Sequence, residues 1–465
     1  MSPSPPANAK PPPLALPFIL ASVIPLLYSL FCAPLFASGA NPDANVGRLT
    51  VLVTSYDDGF IGALFTKYIA SLSPGTSVVT NNGALPVTLP GITFVSNASY
   101  TPASLSAAVS DSDAWAAVYV SAGTSSRLLA ALASSANAAT YDSSAALHLV
   151  WDEARNNAVS APRVAGPIRG LLSSFATLAA TATTAQWISS GAPTSGFSGS
   201  TGTLAKLLAA PVSYTEHSLF PFTVPAFNIA ITVGQILMCV FGLVITNFVF
   251  GPLSAHPFVS SASDGLPKSL RQLALILLLS CMIGGAFSTM LVGLAQTNNL
   301  GLLAKNYVSG VTFSATAAST FGGSVWAQIW ATQWLESAIF ALWLCLPAAA
   351  GLVQAAPALL APLIIYNSIS VNVDVSDAGF KFFYYAPMWH SSEIIRNVLF
   401  GTLPTKLSMH VGVHWLWFGV EVILFLLIGS VAAKRKAAAA AKLAANAKTI
   451  AIVAAEGAEA VTEGK

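Results

Sequence analysis

The sequence predicts an α-helical polytopic membrane protein of about six transmembrane helices, with an α/β domain on the non-cytoplasmic side between helices 1 and 2. Three observations carry this. Of 465 residues, 54% are hydrophobic and only 8% charged, against roughly 25% charged in soluble domains. Mean hydropathy is +0.68, so the charges are too few to coat a water-facing surface. The apolar residues gather into runs of membrane-span length, and one long stretch between the first two runs has its own strand and helix pattern. The 20 Lys+Arg nearly balance the 18 Asp+Glu, giving a net charge of +2. That is no footprint for nucleic acid, which needs a basic stripe.

A span needs about 20 apolar residues. The first runs from about Leu14 to Phe36, uncharged and longer than the ~7–15-residue core of a signal peptide, which makes it an uncleaved anchor. The second, about Val224 to Phe250, and the third, about Leu273 to Ala295, are joined by a polar loop holding Asp264, Lys268 and Arg271. The fourth, about Ala327 to Leu352, is interrupted by Glu336. The fifth, about Ala356 to Ser370, is short and contains Pro357 and Pro362, as broken membrane helices do. The sixth, about Ser408 to Ala432, carries Glu421. Residues 224–432 thus form a five-helix membrane domain; the Pro-rich residues 1–13 and the Ala/Lys tail 433–465 read as disordered or loosely helical.

Lysine and arginine in short loops set orientation. Lys434, Arg435 and Lys436 abut the sixth span, placing the C-terminus, and by parity the N-terminus, in the cytoplasm. The 252–272 loop with Lys268 and Arg271 falls on the same side, while Lys305 is an exception. Residues 43–216 then lie outside or in a lumen, where the sequon Asn97-Ala98-Ser99 can be glycosylated. The integral, multi-pass chain belongs in the plasma membrane or a membrane of the secretory pathway. Cys32, Cys239, Cys281 and Cys345 each sit in an apolar stretch without C-x-x-C spacing, and read as small buried hydrophobes.

In the outer domain, Leu49 to Thr54 is a β-branched run that ends at Asp57-Asp58-Gly59 before a helical pattern, Phe60 to Leu72. Further strands fall at Ile92 to Val95, Trp115 to Val120 and Ala145 to Trp151, with helices at 102–110, 124–135 and about 164–190 and a linker at 189–203. This alternation gives a mostly parallel sheet covered by helices. Asp57 and Asp58 could bind a cation or act as an acid/base pair at a strand's C-terminal end; the plainer reading is that Asp58-Gly59 is turn and N-cap chemistry. His148 stands alone on an apolar strand, where a satisfied core histidine is the expected state. The domain has no G-x-S-x-G, no Cys/His pairing and no metal-ligand spacing, so no enzyme, no metal and no cofactor are expected. No P-loop occurs anywhere, so the chain does not hydrolyse ATP by itself.

Charge at membrane depth costs roughly 2.5–3.5 kcal/mol on insertion scales, which singles out two residues. Glu421 lies mid-span with His414 two turns before it on the same face and His410 one turn further. This face could carry protons or contact a cationic head group, or could serve packing. Glu336 is flanked by Trp330, Trp334 and Trp343, and reads either as an interfacial group that snorkels or as part of a transport path. Asn228, Gln235, Asn247, Ser288, Asn367 and Ser368 face other helices or a polar path, and Gly284-Gly285 permits close helix approach. The loop 372–407 holds the aromatic run Phe380 to Trp389 and then an amphipathic helix with Glu393 and Arg396 at i,i+3. Such a belt belongs at the outer interface, partly re-entrant.

Three stretches and the order of parts make the chain similar to a known group. They are Leu219-Phe220-Pro221-Phe222 leading into Asn228; Tyr366-Asn367 through Val371-Asn372-Val373; and Phe383-Tyr384-Tyr385-Ala386-Pro387-Met388 through Ile394-Ile395-Arg396 to Phe400-Gly401. Over residues 14–433 the chain resembles the fungal nitrosoguanidine-resistance membrane proteins, relatives of the membrane subunits of ABC-2 exporters and of the bacterial phage-infection-protein group. The resemblance implies drug and mutagen resistance and an exporter-like membrane fold. By the same likeness, residues 252–272 stand where an ATPase is contacted and 385–402, with Tyr385, Pro387, Met388 and Arg396, where the exit is framed. The three prolines of the 252–272 loop are not those of a coupling helix. The partners expected are membrane lipids, hydrophobic small molecules, and a second copy, a separate ATPase or another membrane protein. The leading expectation is a transport protein that moves or distributes hydrophobic toxicants or lipids through a path including Glu421, His414, Glu336, Asn228, Gln235 and Asn367. The alternative is a non-transporting scaffold or regulator of another membrane protein or of lipid asymmetry.

Overall fold

The structure, a computed structural model, describes residues 45–72, 77–78, 87–156, 159–190, 201–220, 225–261, 263–297, 323–352, 355–370 and 373–463. The expected first span at 14–36, with Cys32, and Lys305 lie outside them, as do most of the 189–203 linker and the side chain of Asn228.

β1 (Thr50–Ser55) is buried on both faces, which its run of Val51, Leu52 and Val53 requires. It is followed by α1 (Phe60–Ala70), the short pair β2 (Ser77–Val78) and β3 (Val87–Thr88), and β4 (Gly91–Phe94). Next come α2 (Pro102–Ser110), β5 (Ala116–Val120), α3 (Thr124–Ala133), α4 (Ser135–Thr140), β6 (Leu147–Trp151), α5 (Gly166–Ser189), α6 (Thr201–Ala209) and β7 (Tyr214–Ser218). α2 begins where the sequence dictates: Thr101 and Ser104 form a reciprocal capping box, with Pro102 in the first turn. The sheet order is β4-β1-β5-β6-β7, parallel except between β5 and β6. The pattern gave neither the two-residue strands β2 and β3 nor, in the five-stranded sheet, β7, because Tyr-Thr-Glu-His-Ser lacks apolar alternation and is only half-buried at the sheet edge. Val51, Val53, Val118, Val120, Leu147 and Leu149 point to a core under α1 and α5, where Phe65 meets Phe175 edge-on at 5.1 Å. Leu52, Ala117 and Val150 face α2 through Leu105 and Val109.

The helical part comprises α7 (Pro225–Phe250), α8 (Leu266–Thr297), α9 (Gly323–Ala349), α10 (Ala356–Ser370), α11 (Pro387–Phe400) and α12 (Leu407–Glu463). Among the described residues four helices, α7, α8, α9 and α12, are long and apolar enough to cross a membrane. α10, the expected fifth span, has 15 residues and rises only about 22 Å, short of a ~30 Å hydrocarbon core. α9 is central and mostly buried, whereas α8 and α12 expose Met282, Leu278, Leu416, Ile423 and Leu427, as a lipid-facing surface does. The Ala/Lys tail is helical, one of the two states expected of it: α12 continues to Glu463, as its alanine-rich composition, highest in helix propensity, favours.

α8 and α9 lock together through side chains spaced one turn apart. Trp326, Trp330 and Trp334 stack at 5.6 and 5.7 Å between ring centroids. Their indole N–H groups donate to Thr289 Oγ1, Cys281 O and Leu277 O at 3.1, 3.1 and 3.0 Å. Gly284 sits where α9's backbone crosses: an added Cβ would stand 2.7 Å from the Trp334 nitrogen.

The two parts meet at one end of the bundle. Leu403 N–H donates to Ser110 O at 2.9 Å, and Lys406, just before α12, pairs with Asp113 at 2.6 Å. At the other end Asp264 pairs with Lys268 and Lys436, each at 3.2 Å. Between Lys406 and Lys436 the helix rises about 45 Å, more than a bilayer core.

Replacement of Gly284 by alanine is expected to lower the melting temperature of the purified protein and broaden its size-exclusion peak. The Gly285→Ala variant, whose methyl meets only the Trp330 ring at 3.7 Å, should match or exceed the parent because alanine favours helix by about 1 kcal/mol over glycine. Equal melting of the two variants would refute the close crossing.

Candidate functional site

Glu336 is the middle of α9 and is fully buried, so it does not snorkel to an interface as the flanking tryptophans suggested. Trp330 and Trp334 turn toward α8 and Trp343 toward Tyr366 and Trp417, leaving the carboxylate to face α7. With the Gln235 amide nitrogen turned toward it, Gln235 donates to Glu336 Oε2 at 2.6 Å and to Ser391 Oγ at 3.0 Å, while its oxygen accepts from Gln333 at 2.8 Å. Gln235 and Glu336, two of the expected path residues, are thus brought together with Gln333 and Ser391, which the sequence did not single out. Gln333 precedes Glu336 by three residues, a helical signal that was available. Ser392 adds a bond to Ile231 O at 3.3 Å. Asn367 joins the same seam from α10: it accepts from Met388 N–H at 3.3 Å and donates to Leu363 O at 2.9 Å. The seam is a layer of side-chain hydrogen bonds across α7, α9, α10 and α11 within an otherwise apolar core.

α11 lacks the water-facing polar side that its amphipathic pattern led one to expect: it buries Pro387, Met388, Glu393, Arg396 and most of its other residues, and Glu393 pairs with Arg396 inside the protein. Tyr385, before it, is 67% exposed, its carbonyl held by Trp417 Nε1 at 2.7 Å. The burial follows from what covers α11: α9 and α12 on one side and the α/β domain through the turn at 373–386 on another. Asn45 donates to Asp377 at 2.9 Å and Arg48 to Ser376 O at 3.2 Å. Val375 enters the α/β core, and Tyr384 holds Asp374 at 2.8 Å. Arg155 lies 3.8 Å over the Trp115 ring, donates to Ala114 O at 2.9 Å, and is in the field of Asp374, Asp152 and Glu393.

The histidines of α12 both lie on its buried side. His410 Nδ1 meets His390 Nδ1 at 3.0 Å, and His414 lies against the carbonyls of Thr332 and Pro387. Among the described residues no group of three metal-binding side chains is suitably placed. Glu421, two turns beyond His414, borders a cavity of about 410 Å³ walled by Trp343, Leu359, Pro362, Leu363, Tyr366 and Phe383.

In the α/β domain the capping role expected of Asp58-Gly59 falls to Asp57. Its carboxylate accepts from Gly62 N–H at 2.9 Å, Ser125 N–H at 3.1 Å and Ser125 Oγ at 2.5 Å, capping α1 and α3 together. Asp58 is exposed, and Gly59 packs so closely on the Ser125 side chain that a Cβ would collide with it. Asn97 is exposed on a turn, its amide reaching Ser55 O at 3.2 Å. His148 is not alone. It meets His217 at 2.9 Å and Ser121 Oγ at 2.8 Å and stacks on Tyr119; burial and His217 lower it to about 4. The pairing needed β7 beside β6, and β7 was not among the expected strands.

A lipid-facing helical bundle with a buried polar seam, latched to an α/β domain, defines a polytopic membrane protein. Over residues 16–423 the chain matches the family described as "Protein of unknown function (DUF3533)", and it belongs to that family. No curated protein and no solved structure matches it.

Asp152 offers a pH test of the junction. Its Oδ1 accepts from Ala154 and Arg155 N–H at 2.9 and 3.1 Å, Oδ2 takes no bond, and burial pushes the carboxyl up to about 7. The folded group keeps its proton where an unfolded aspartate has lost it, so its stabilising contribution is present below about pH 4 and is lost as pH rises toward 7. The Asp152→Asn variant keeps the Oδ1 acceptor. It should melt higher than the parent at neutral pH and show a flatter melting profile through this window; an unchanged profile would contradict the assignment.

Proposed function

We propose that the chain is an export-type membrane transport protein of the ABC-2-like class without an ATPase of its own. In this reading it moves or redistributes hydrophobic toxicants or lipids and so confers drug and mutagen resistance, as its resemblance to the nitrosoguanidine-resistance proteins implies. The observation that supports it most is the polar seam of Gln235, Gln333, Glu336, Ser391 and Asn367. Buried polar side chains at membrane depth are costly and are kept where a path or a moving interface uses them. The seam is continuous through α11 with the turn that grips the α/β domain, which gives a receiving domain a mechanical connection to the bundle. The partners in this reading are lipids and hydrophobic small molecules, with a second copy or a separate ATPase as protein partner.

We place the α/β domain on the lumenal or outer side and both termini in the cytoplasm. Supporting this, the domain meets α12 at Lys406, whereas Lys434, Arg435 and Lys436 gather at the other end with Lys268. Glycosidase treatment of the protein expressed in a fungal host should shift its gel mobility, and Asn97→Gln should abolish the shift. Protection of the 43–216 region from protease in sealed, cytoplasm-out vesicles is the matching result; cleavage there would reverse the topology.

Reconstitution into liposomes without nucleotide tests the activity, scoring fluorescent lipids and a hydrophobic mutagen with and without a proton gradient. Movement above empty liposomes is expected, and Glu336→Gln should lower it about tenfold or more while the protein still elutes as a single species. Folded protein that moves nothing would favour the scaffold or regulator reading, or a permease that needs an ATPase.

A further inference from the structure

We propose that the cavity beside Glu421 binds an amphipathic cation, a lipophilic ammonium or phosphonium compound whose positive centre meets the carboxylate while its body fills the apolar walls. Its role in export rests on the transport reading above; the binding itself does not.

The cavity, about 410 Å³, is within the size range of sites for drug-like molecules. Three walls are aromatic: Trp343 and Tyr366 stand 6.1 Å apart between centroids, and Tyr366 and Phe383 4.9 Å. Leu359, Pro362, Leu363 and Ile365 of α10 and Leu344 and Leu346 of α9 supply aliphatic walls, and among the described residues Glu421 is the single charged one in the lining. Glu421 is 4% exposed; the Trp343 indole N–H is the one donor directed at its carboxyl among the described residues, and its Oε2 takes no hydrogen bond. A buried carboxylate oxygen without a partner is expensive to keep. A cation seated here would compensate it, and the surrounding ring faces would add cation–π attraction. An anion of the same shape would meet like charge, and a neutral acyl chain would leave the carboxylate bare. The cavity is also coupled to the rest of the molecule, since Phe383 in its wall adjoins Tyr384, whose hydroxyl holds Asp374 at the α/β junction.

Tetraphenylphosphonium and tetraphenylborate share shape and differ in sign, so equilibrium binding of the two labelled ions to the purified full chain in neutral detergent tests the site. Saturable binding of the phosphonium in preference to the borate is expected. Glu421→Gln should weaken phosphonium binding about tenfold or more, Glu421→Asp should retain most of it, and Leu359→Trp, which fills the cavity, should remove it. Equal affinity for the two ions, non-saturable uptake of both as into an acyl-filled groove, or a Glu421→Gln variant that binds like the parent would overturn the proposal. Selective phosphonium binding by protein that moves nothing in liposomes would uphold the site while rejecting transport. Movement of lipid or mutagen with no cation preference would reject the site and leave transport standing.

Discussion

The bond between Gln235 and Glu336 is the constraint around which the bundle is arranged. A carboxylate with no exposed surface at the centre of α9 needs donors from a neighbouring helix, and α7 supplies them through one amide. Once Gln235 is committed to Glu336, its remaining capacity fixes Gln333 on one side and Ser391 on the other. α11 cannot then sit at the surface: it must approach α7 closely enough for Ser391 and Ser392 to reach it. The near-complete burial of that helix, including its Glu393–Arg396 pair, follows from this approach.

Because α11 is held from both directions, the α/β domain is not an appendage. The turn at 373–386 places Val375 in the domain's core and Asp374, Ser376 and Asp377 in polar contacts with Tyr384, Arg48 and Asn45. A displacement of the domain would be felt first by α11 and then by the seam; the aromatic wall at Phe383 lies on the same route. Coupling between distant sites requires such a chain of packed and hydrogen-bonded groups.

Much of this was legible in the sequence. The apolar runs at Val224 to Phe250, Ala327 to Leu352 and Ala356 to Ser370 coincide closely with the helices α7, α9 and α10, although α10 is too short for the span it was expected to be. The close helix approach at Gly284 was also readable, since it depends on the smallness of one residue; the cap was expected one residue late, at Asp58-Gly59, and is made by Asp57. What could not be read were pairings across long sequence separation. β7 is polar and becomes a strand only because β6 offers it an edge, so the His148–His217 contact was hidden with it. The indoles around Glu336 left it open between an interfacial group and a buried one; that Trp330 and Trp334 bond to α8 backbone is a property of the packed helix pair. The amphipathic pattern of α11 is real, but its polar side faces a buried seam and a domain junction in place of water.

The column of Trp326, Trp330 and Trp334 has an optical consequence. Three indoles stacked nearly parallel, at interplanar angles of 15° and 13°, form a coupled chromophore whose near-ultraviolet dichroism depends steeply on the spacing and twist between neighbours. The same rings are tied to α8 by their N–H groups, so a slide or rotation of α9 against α8 changes the column itself. The protein therefore carries a built-in spectroscopic gauge of its central helix pair, readable in unlabelled material while the bundle works.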